Sequence, residues 1–483
     1  MRLCINSGFY ANFVKKINPR KMKKYLLFLT SIFILTTASG QEQKTLKLTP
    51  EEIESIFLKE NLELIAEKMN VSIADAGIVQ AKLWDNPNFS ISNVNLWGSS
   101  VKNTEFNLEL SQLIQTANKR GKLIAREKAA KEITIQAFEE TLRGLKIELR
   151  QSVNDILYLE SYLKVLNSEA QLLSQLITAY NKQVMQGNLS KNELLRLQSA
   201  LFAIDSEIYD TQTELNGKQK DLRILLNAVP SVTIEIVENE TTIRNSENLL
   251  LSDLIELALE SRPDIKSYKM QMLYHEKSLA YERAQRVPDL TLSAQYDRFG
   301  GVWKDFTGFG ISFDLPVFNR NQGNIKAAKI SLEQNQYLAL QQEKIAQNEV
   351  AEAYNNYTSV YNFYRKINEN DLLKDLDNML DVYAKNLLNK NISMLEFIDF
   401  MDTYKNNKQI VLSTRKNVRN QFEELQFVVG AEIPRFVRND SILLENIGGK
   451  SSGFAAAFSS SCTSQTSVIS SEARNLICNE ETK

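Results

Sequence analysis

Residues Leu48–Asn70, LTPEEIESIFLKENLELIAEKMN, and residues Leu249–Gln271, LLLSDLIELALESRPDIKSYKMQ, are two versions of one stretch. Laid over each other without a gap, they keep their apolar positions in step, as in Leu48 with Leu249, Ile53 with Leu254, Ile56 with Leu257, Leu58 with Leu259, Leu64 with Ile265 and Met69 with Met270. The register continues to Pro87 and Pro288, each of which precedes a short alternating run. Such an internal repeat predicts a chain built from two equivalent halves.

Proline is placed so that very long helices are possible. The 483-residue chain has 17 glycines and 8 prolines, and the segments 88–229 and 317–433 contain no proline. Proline breaks a helix interior because it lacks an N–H and clashes with the preceding turn. The formal net charge is −2 with acids and bases mixed throughout, so nothing indicates a nucleic-acid partner.

The N-terminus has the pattern of a secretory signal peptide. Basic residues from Arg20 to Lys24 precede the apolar run YLLFLTSIFILTT, and Ala38 and Gly40 are the small residues before a cleavage at Gln41. The alternative is an uncleaved anchor helix, which the shortness of the run disfavours. We therefore expect residues 1–40 to be a signal peptide, with Met22 as the natural start.

Metal, cofactor and catalytic chemistry have few candidate residues. The segment 41–433 contains no cysteine, since Cys4 lies in the leader and Cys462 and Cys478 lie near the end. Its one histidine, His275, is expected to be a solvated side chain on a charged helix. We expect no metal site, no cofactor and no enzymatic activity.

Each half contains a long helix with a coiled-coil-like seam. Apolar residues at steps of three, four and seven predict one helix of about 65 residues starting near Arg120, on Phe138, Leu142, Leu145, Leu149, Val153, Ile156, Leu163, Leu166, Leu173, Ile177, Tyr180 and Val184. The matching segment is Asn324–Leu388. Its aromatic stripe, on Tyr354, Tyr357, Tyr361 and Tyr364, is interpreted as packing and not as a ligand site.

A tight turn and a return helix follow each long helix. The stretches QGNLSKNELLRLQ (186–198) and NKNISMLEFIDFM (389–401) predict turns that contain Gly187, Asn188, Ser190, Asn391 and Ser393. A serine N-cap followed three residues later by glutamate, at Glu193 and Glu396, is the capping-box pattern of a new helix. The sequence therefore predicts antiparallel helical hairpins that end near Val229 and Gly430.

Each half also carries two strand signals between its short and long helices. These are NFSISNVNLW and FNLELSQLI in the first half, with a possible bulge between Ile91 and Val94, and DLTLSAQY and FGISFDLPV in the second. Apolar residues on one face and polar residues on the other suit a strand between lipid and an aqueous lumen. A soluble two-layer sheet is the alternative, but the export signal and the absence of a second sheet to cover the apolar face favour membrane strands. Because four strands cannot close a barrel, membrane-spanning strands would require oligomerisation.

From about Leu46 to Gly430 the chain resembles the TolC-type outer-membrane efflux channels. The resemblance is carried by the doubled stretch, by the prolines before the strands and by the strand-to-helix corner LPVFNRNQGNIKAA (315–328), which is similar to the cation-efflux branch. The corner motif comprises Pro316, Asn319, Arg320, Asn321, Gln322 and Gly323. Its counterpart, IQTANKRGKLIA, is a looser match around Arg120 and Gly121.

The resemblance implies a mainly α fold with a membrane β-barrel part. Three chains would form a trimeric α-barrel of long antiparallel hairpins, continuous with a 12-stranded β-barrel that takes four strands from each chain. The implied location is the outer membrane, with a long periplasmic extension and a mixed equatorial region to which PSVTIEIVENE (230–240) is assigned. The implied partners are outer-membrane lipid, a periplasmic adaptor (membrane fusion protein) and an inner-membrane efflux pump.

The family's periplasmic aperture is ringed by acidic residues after the second hairpin turn. Carried across, these are Glu396 and Asp399, while the first half offers Glu193 and Arg196, a partial match. Three chains would bring the carboxylates together, attracting cations and repelling anions. The alternative is that Glu396 caps its helix and that Asp399 is solvated.

The predicted organisation is a signal peptide over 1–40, efflux repeats over 41–248 and 249–430, and a disordered Ser-rich tail over 431–483. The predicted function is a passive outer-membrane channel of a tripartite efflux system that conducts metal cations or drugs. The alternative is a periplasmic coiled-coil tether or adaptor without a pore, which would leave the strand pairs and the repeat unexplained.

Overall fold

The computed structural model describes residues 44–92, 94, 105–237, 249–299, 302–369 and 372–433. The predicted signal peptide, the bulge between Ile91 and Val94 and nearly all of the predicted tail therefore lie outside the described residues. At the start of the predicted tail, Ala431 and Ile433 pack on the body, and Ile433 is buried.

The described part of the chain contains nine helices and six strands. In chain order they are β1 (Lys44–Leu48), α1 (Pro50–Glu60), α2 (Leu62–Lys82), β2 (Asn88–Ser92), β3 (Phe106–Ile114), α3 (Lys119–Met185), α4 (Lys191–Leu225), β4 (Val232–Ile236), α5 (Leu251–Ser261), α6 (Pro263–Ala284), β5 (Leu290–Arg298), β6 (Phe306–Ser312), α7 (Gln322–Asn368), α8 (Leu372–Leu388) and α9 (Met394–Val429). The two halves repeat the order short helices, strand pair, long helix and return helix.

Helix α3 agrees closely with the seam prediction. It has 67 residues, which corresponds to about 100 Å at 1.5 Å per residue. Most of the predicted seam is buried, and Ile177 and Val184 pack at its edge. Helices α2, α4, α6 and α9 all pack along α3, which makes it the central element of the fold.

The second long helix is not continuous, contrary to the prediction of one helix over Asn324–Leu388. Helix α7 ends at Asn368 with Glu369 as its C-cap, and α8 begins at Leu372. The aromatic stripe before this break is packing, as predicted. Tyr357 is fully buried against Phe422, with their ring centroids 5.4 Å apart.

The doubled stretch also folds as two helices in each half and not as one. Helix α1 ends at Glu60, and the next residue, Asn61, caps α2 by accepting the Leu64 N–H with its side chain. The second half breaks at the equivalent residue, Arg262, before Pro263 at the first position of α6.

Both break residues are buried and donate to the end of the return helix in their own half. Asn61 Nδ2 lies 2.9 Å from the Leu225 carbonyl oxygen, and Arg262 Nη1 lies 3.0 Å from that of Val428. The repeat therefore encodes, in each half, a contact between the break in the first helices and the end of the return helix. We call these two contacts, Asn61 with Leu225 and Arg262 with Val428, the clasps of the two halves.

Two sheets are present in the described residues. Strands β1 and β4 pair in parallel, and Gln219 extends this sheet by exchanging hydrogen bonds with the backbone of Ile234. The segment assigned to the equatorial region thus forms a strand, but its partner β1 has no counterpart in the sequence prediction.

The second sheet is antiparallel with the order β2-β3-β5-β6. It joins the hairpins of the two halves through the β3–β5 pair. Strand β6 ends at Ser312, five residues before the predicted end at Val317. No helix among the described residues is both long enough and apolar enough to span a membrane.

Candidate functional site: the hairpin turns, the sheet face and the corners

The two hairpin turns have the same backbone design. Asn188 N–H donates to the Gln183 carbonyl and Asn391 N–H to the Asn386 carbonyl, the long-range bond of a Schellman motif. Gly187 has φ +73° in the first turn, and Lys390 occupies the equivalent left-handed position in the second with φ +61°. Lys390 Nζ reaches the Asn188 carbonyl at 3.3 Å, so the two turns lie together.

The serines of both turns cap the return helices, but only one capping box is complete. Ser393 Oγ accepts the Glu396 N–H, and the Glu396 carboxylate accepts the Ser393 N–H at 2.7 Å. Ser190 instead accepts from Asn192, and within the described residues Glu193 does not return the bond. The predicted box at Ser190 is therefore not formed, and Ser190 acts as a simple N-cap.

The predicted aperture acids differ in their hydrogen bonds and in their exposure. The backbone hydrogen bond from Ser393 lowers the pKa of the exposed Glu396 carboxyl, which is engaged in its cap. Asp399 is exposed one turn further along and makes no hydrogen bond or ion pair with a described residue. Glu193 is half-buried, and the exposed Arg196 stands where the second half has Asp399.

A partly buried polar cluster lies between α3, α4 and α9. Lys405 Nζ is 2.8 Å from Glu207 Oε2, and the Tyr162 hydroxyl donates to the same carboxylate. Burial raises the pKa of Glu207, but the bonds from Lys405 and Tyr162 outweigh it and leave that pKa below its ordinary value. Glu169, nearby on α3, is 1% exposed, and neither of its carboxylate oxygens has a hydrogen-bond partner.

Sequence reasoning missed Glu169, although a signal was present. Its position lies three residues after Leu166 and four before Leu173, which places it on the buried seam. Burial raises its pKa to about 8; attraction from Lys405 opposes this rise, and repulsion from Glu207 and Asp402 adds to it.

Glutamine at position 169 should stabilise the protein at alkaline pH. Because the folded pKa of about 8 exceeds the ordinary value of 4.5, stability is lost as the pH rises through that window and stays low above it. At about 1.4 kcal/mol per pKa unit, we expect Glu169→Gln to gain roughly 2–4 kcal/mol at pH 9 and almost nothing at pH 4.5. Melting temperatures at pH 4.5, 6.5 and 9 measure this. The exposed Glu148→Gln on the same helix is the control, and an equal gain from Glu169→Gln at all three pH values would contradict the account.

The strand-to-helix corners are built around left-handed asparagines. Asn118 and Asn321, with φ of 55° and 56°, are the N-caps of α3 and α7. Asn321 Nδ2 binds the Glu282 carboxylate at 2.6 Å and its N–H donates to Asn319 Oδ1, which anchors the corner to α6. The Arg320 N–H donates to Gln322 Oε1.

The corner glycines are not equivalent. A Cβ at Gly121 would lie 2.3 Å from Asn118 Oδ1, whereas one at Gly323 would meet nothing within 4 Å. Pro316 lies in the irregular segment after β6. The first corner is held by a different contact, a 2.8 Å ion pair between Lys119 and Asp289. The motif residues thus form a structural corner in the second half, and the first half uses different bonds.

The four-stranded sheet presents one apolar face. Its register places Phe89 opposite Leu110, Leu110 opposite Ala294, and Ala294 opposite Phe309, so most of the apolar side chains share a side, whereas Leu113 and Phe306 lie on the other. Phe309 is 89% exposed. Serines, Asn107, Gln295 and glycines occupy the other face.

His275, expected to be solvated, is half-buried beside Tyr274, and burial lowers its pKa. Within the described ranges, no three His, Cys, Asp or Glu side chains are grouped so that they could hold a metal ion.

Comparison with known proteins identifies this architecture. The family described as "Outer membrane efflux protein" matches residues 254–364, from α5 to most of α7. The resemblance to the outer-membrane efflux channels is confirmed.

A curated protein similar to this chain is the cobalt-zinc-cadmium resistance protein CzcC of Cupriavidus metallidurans. It is 24% identical over 299 residues, which cover 60% of this chain and 69% of the relative. The fold is shared with solved structures, among them CusC and the Campylobacter jejuni CmeC outer membrane channel. CusC is 19% identical, covers 82% of this chain and 95% of its own, and has a TM-score of 0.66. The Campylobacter jejuni CmeC outer membrane channel is 14% identical, covers 82% and 88%, and has a TM-score of 0.66.

Proposed function

We propose that the chain is one subunit of a trimeric outer-membrane channel in a tripartite efflux system. Three chains would supply twelve strands to a membrane barrel and six helical hairpins to a periplasmic α-barrel. The channel would conduct substrates, metal cations or drugs, passively from an inner-membrane pump and a periplasmic adaptor to the exterior. As a passive channel, the chain would carry out no enzymatic reaction.

The observation that carries the proposal is the sheet with two open edges and one exposed apolar face. Unpaired backbone groups cannot face hydrocarbon, so the outer edges of β2 and β6 need partners if this sheet lies in a membrane. Within the chain, the second strand of one half pairs with the first strand of the next half, as β3 with β5. Repeating that step would pair β6 with β2 of another chain and close the barrel.

The register of the repeat supports this closure. Gln112 is opposite Leu292, and Ile114 is opposite Leu290. In the repeat, Leu315 and Val317, just after β6, are equivalent to Gln112 and Ile114 of β3, and Ile91 and Phe89 of β2 are equivalent to Leu292 and Leu290 of β5. Closure would therefore place Leu315 opposite Ile91, and Val317 opposite Phe89, of the next chain. Residues 315–317 therefore have no strand partner expected within their own chain, which accounts for β6 ending before them while β3 extends to Ile114.

The acidic aperture is part of the proposal, and single-channel recording tests it. The full chain reconstituted in a planar bilayer should conduct, and multivalent cations added on the periplasmic side should block it. Asp399→Asn should weaken the block by about tenfold, because six like charges near one axis become three. Glu396→Gln should act less on the block and more on the helix start, since Glu396 caps α9.

The control removes the same kinds of exposed acids from α4, as Asp210→Asn with Glu214→Gln, and should leave the block unchanged. Block that is insensitive to Asp399→Asn would refute the acidic ring alone. A soluble, elongated monomer with no conductance would refute the channel and support a periplasmic tether.

A further inference from the structure

The second strand-to-helix corner contains a basic cavity that the channel function leaves unexplained. It is a shallow cavity of about 620 Å³ between the end of α6 and the start of α7. Four cations line it, Arg286, Arg320, Lys326 and Lys329, and none of its lining residues, all in the described part of the chain, is acidic. We call this the basic corner cavity.

The cations of the basic corner cavity are not neutralised by ion pairs within the described part of the chain. None of the four forms an ion pair with a described residue. Like charges gathered in one cavity repel each other, which costs free energy that a bound anion would recover. Lys326 and Lys329 lie within the first two turns of α7, so the positive end of the helix dipole adds to the field.

An exposed apolar surface adjoins the cavity. Val317 and Phe318 line it and are 56% and 92% exposed. They continue from Leu315, which is 73% exposed, and from the apolar face of β6. A ligand with an anionic head and a long apolar part would match both surfaces.

The first corner shows that the fold does not require this arrangement. There Asp85 stands two residues before its proline, where the second corner has Arg286. The guanidinium carbon of Arg120 lies 3.7 Å from the centroid of the Trp84 ring. The charge of Arg120 is therefore already in a cation–π contact. The reversal of charge from Asp85 to Arg286 makes the basic cavity specific to the second half.

We propose that the basic corner cavity binds the phosphate headgroup of an anionic phospholipid in the periplasm-facing leaflet of the membrane. The acyl chains would lie along Leu315, Phe318 and the β6 face, and the lysine and arginine side chains would hold the headgroup. This inference rests on the proposed membrane placement of the sheet, because only then does the corner lie at the headgroup level. One such site per chain follows.

Lipid binding to the full chain, purified in a neutral detergent, tests the proposal. Native mass spectrometry would count bound phosphatidylglycerol and phosphatidylcholine at equal concentrations. We expect phosphatidylglycerol to bind at least fivefold more, at one molecule per chain. The triple variant Arg286→Gln/Lys326→Gln/Lys329→Gln should remove that preference. The control, Lys182→Gln/Lys191→Gln/Lys220→Gln, loses the same charge from exposed positions on α3 and α4 and should keep it.

Each outcome decides a different point. Equal binding of the two lipids, or an unchanged preference in the cavity variant, would overturn the proposal. Displacement by glycerol phosphate at a concentration equal to that of the lipid would show a free phosphate site and also overturn it. Membrane fractionation of the cells from which the chain is purified separates the lipid site from the proposed function. A chain absent from the outer membrane refutes the proposed function. A chain that is in the outer membrane but shows no preference for phosphatidylglycerol refutes only the lipid site.

Discussion

Replacing Arg262 by alanine is expected to lower the melting temperature of the protein by roughly 5–10 °C. The guanidinium is 3% exposed and binds the Asp264 carboxylate through two bonds of 2.6 and 3.0 Å. It also holds Glu349 at 2.7 Å and the Val428 carbonyl at 3.0 Å. Removing one partner of a buried ion pair leaves the others uncompensated, which costs about 3–5 kcal/mol. Thermal unfolding followed by tryptophan fluorescence measures the loss.

The equivalent residue of the other half provides the matched control. Asn61→Ala removes neutral hydrogen bonds to Leu225 and Leu64 at the same point of the repeat, and should cost only about 1–2 kcal/mol. Arg262→Lys should fall between them, because lysine cannot form the two-bond pair with Asp264. If Arg262→Ala costs no more than Asn61→Ala, the buried charge network is not what holds the second clasp.

Gly430→Ala should destabilise the same clasp from the other side. Gly430 ends α9 with φ +73°, a conformation that costs a residue with a Cβ about 1 kcal/mol. In addition, the new Cβ would lie 2.9 Å from the Cα of Arg262, which is backbone and cannot move aside alone. We expect a total loss of about 3 kcal/mol or more, and a lower yield of folded protein.

Gly187→Ala isolates the backbone contribution. Gly187 also has φ +73°, in the turn between α3 and α4, but a Cβ there would meet nothing within 4 Å. Its alanine variant should therefore lose only about 1 kcal/mol. Similar melting temperatures for the two variants would show that the contact of Gly430 with Arg262 is unimportant.

The long elements were predictable because their signal is periodic and local. The predicted helix of about 65 residues starting near Arg120 agrees with α3, which begins at Lys119 and ends at Met185. The clasps were harder to predict, since Asn61 and Pro263 are ordinary start signals inside an apolar pattern that continues across the break. The pairing of β1 with β4 joins residues that lie 188 apart, as Lys47 and Glu235 do, and no local pattern encodes it.

The candidate site was predicted unevenly for a similar reason. Turn residues such as Gly187 and Ser393 have local signatures, and the structure places them in the turns. Glu169 and the basic corner cavity depend on which helices pack together, which composition does not reveal. The break of the second long helix at Glu369 has no proline or glycine to announce it.

The central claim is that β6 of one chain pairs with β2 of another to close the barrel. Cysteine cross-linking in native outer membranes tests it, using Ile91→Cys and Leu315→Cys in a chain whose Cys462 and Cys478 are serine. The control pairs Ile91→Cys with Ser312→Cys, which lies on the opposite face of the sheet and out of register.

The account predicts that mild oxidation converts the Ile91→Cys/Leu315→Cys chain into covalent species of two and three chains on denaturing gels. Each single variant gives at most a dimer, and the Ser312→Cys pair gives little product. If the double variant stays monomeric, or cross-links no better than the out-of-register control, the edges of this sheet do not meet and the closed multichain barrel is wrong.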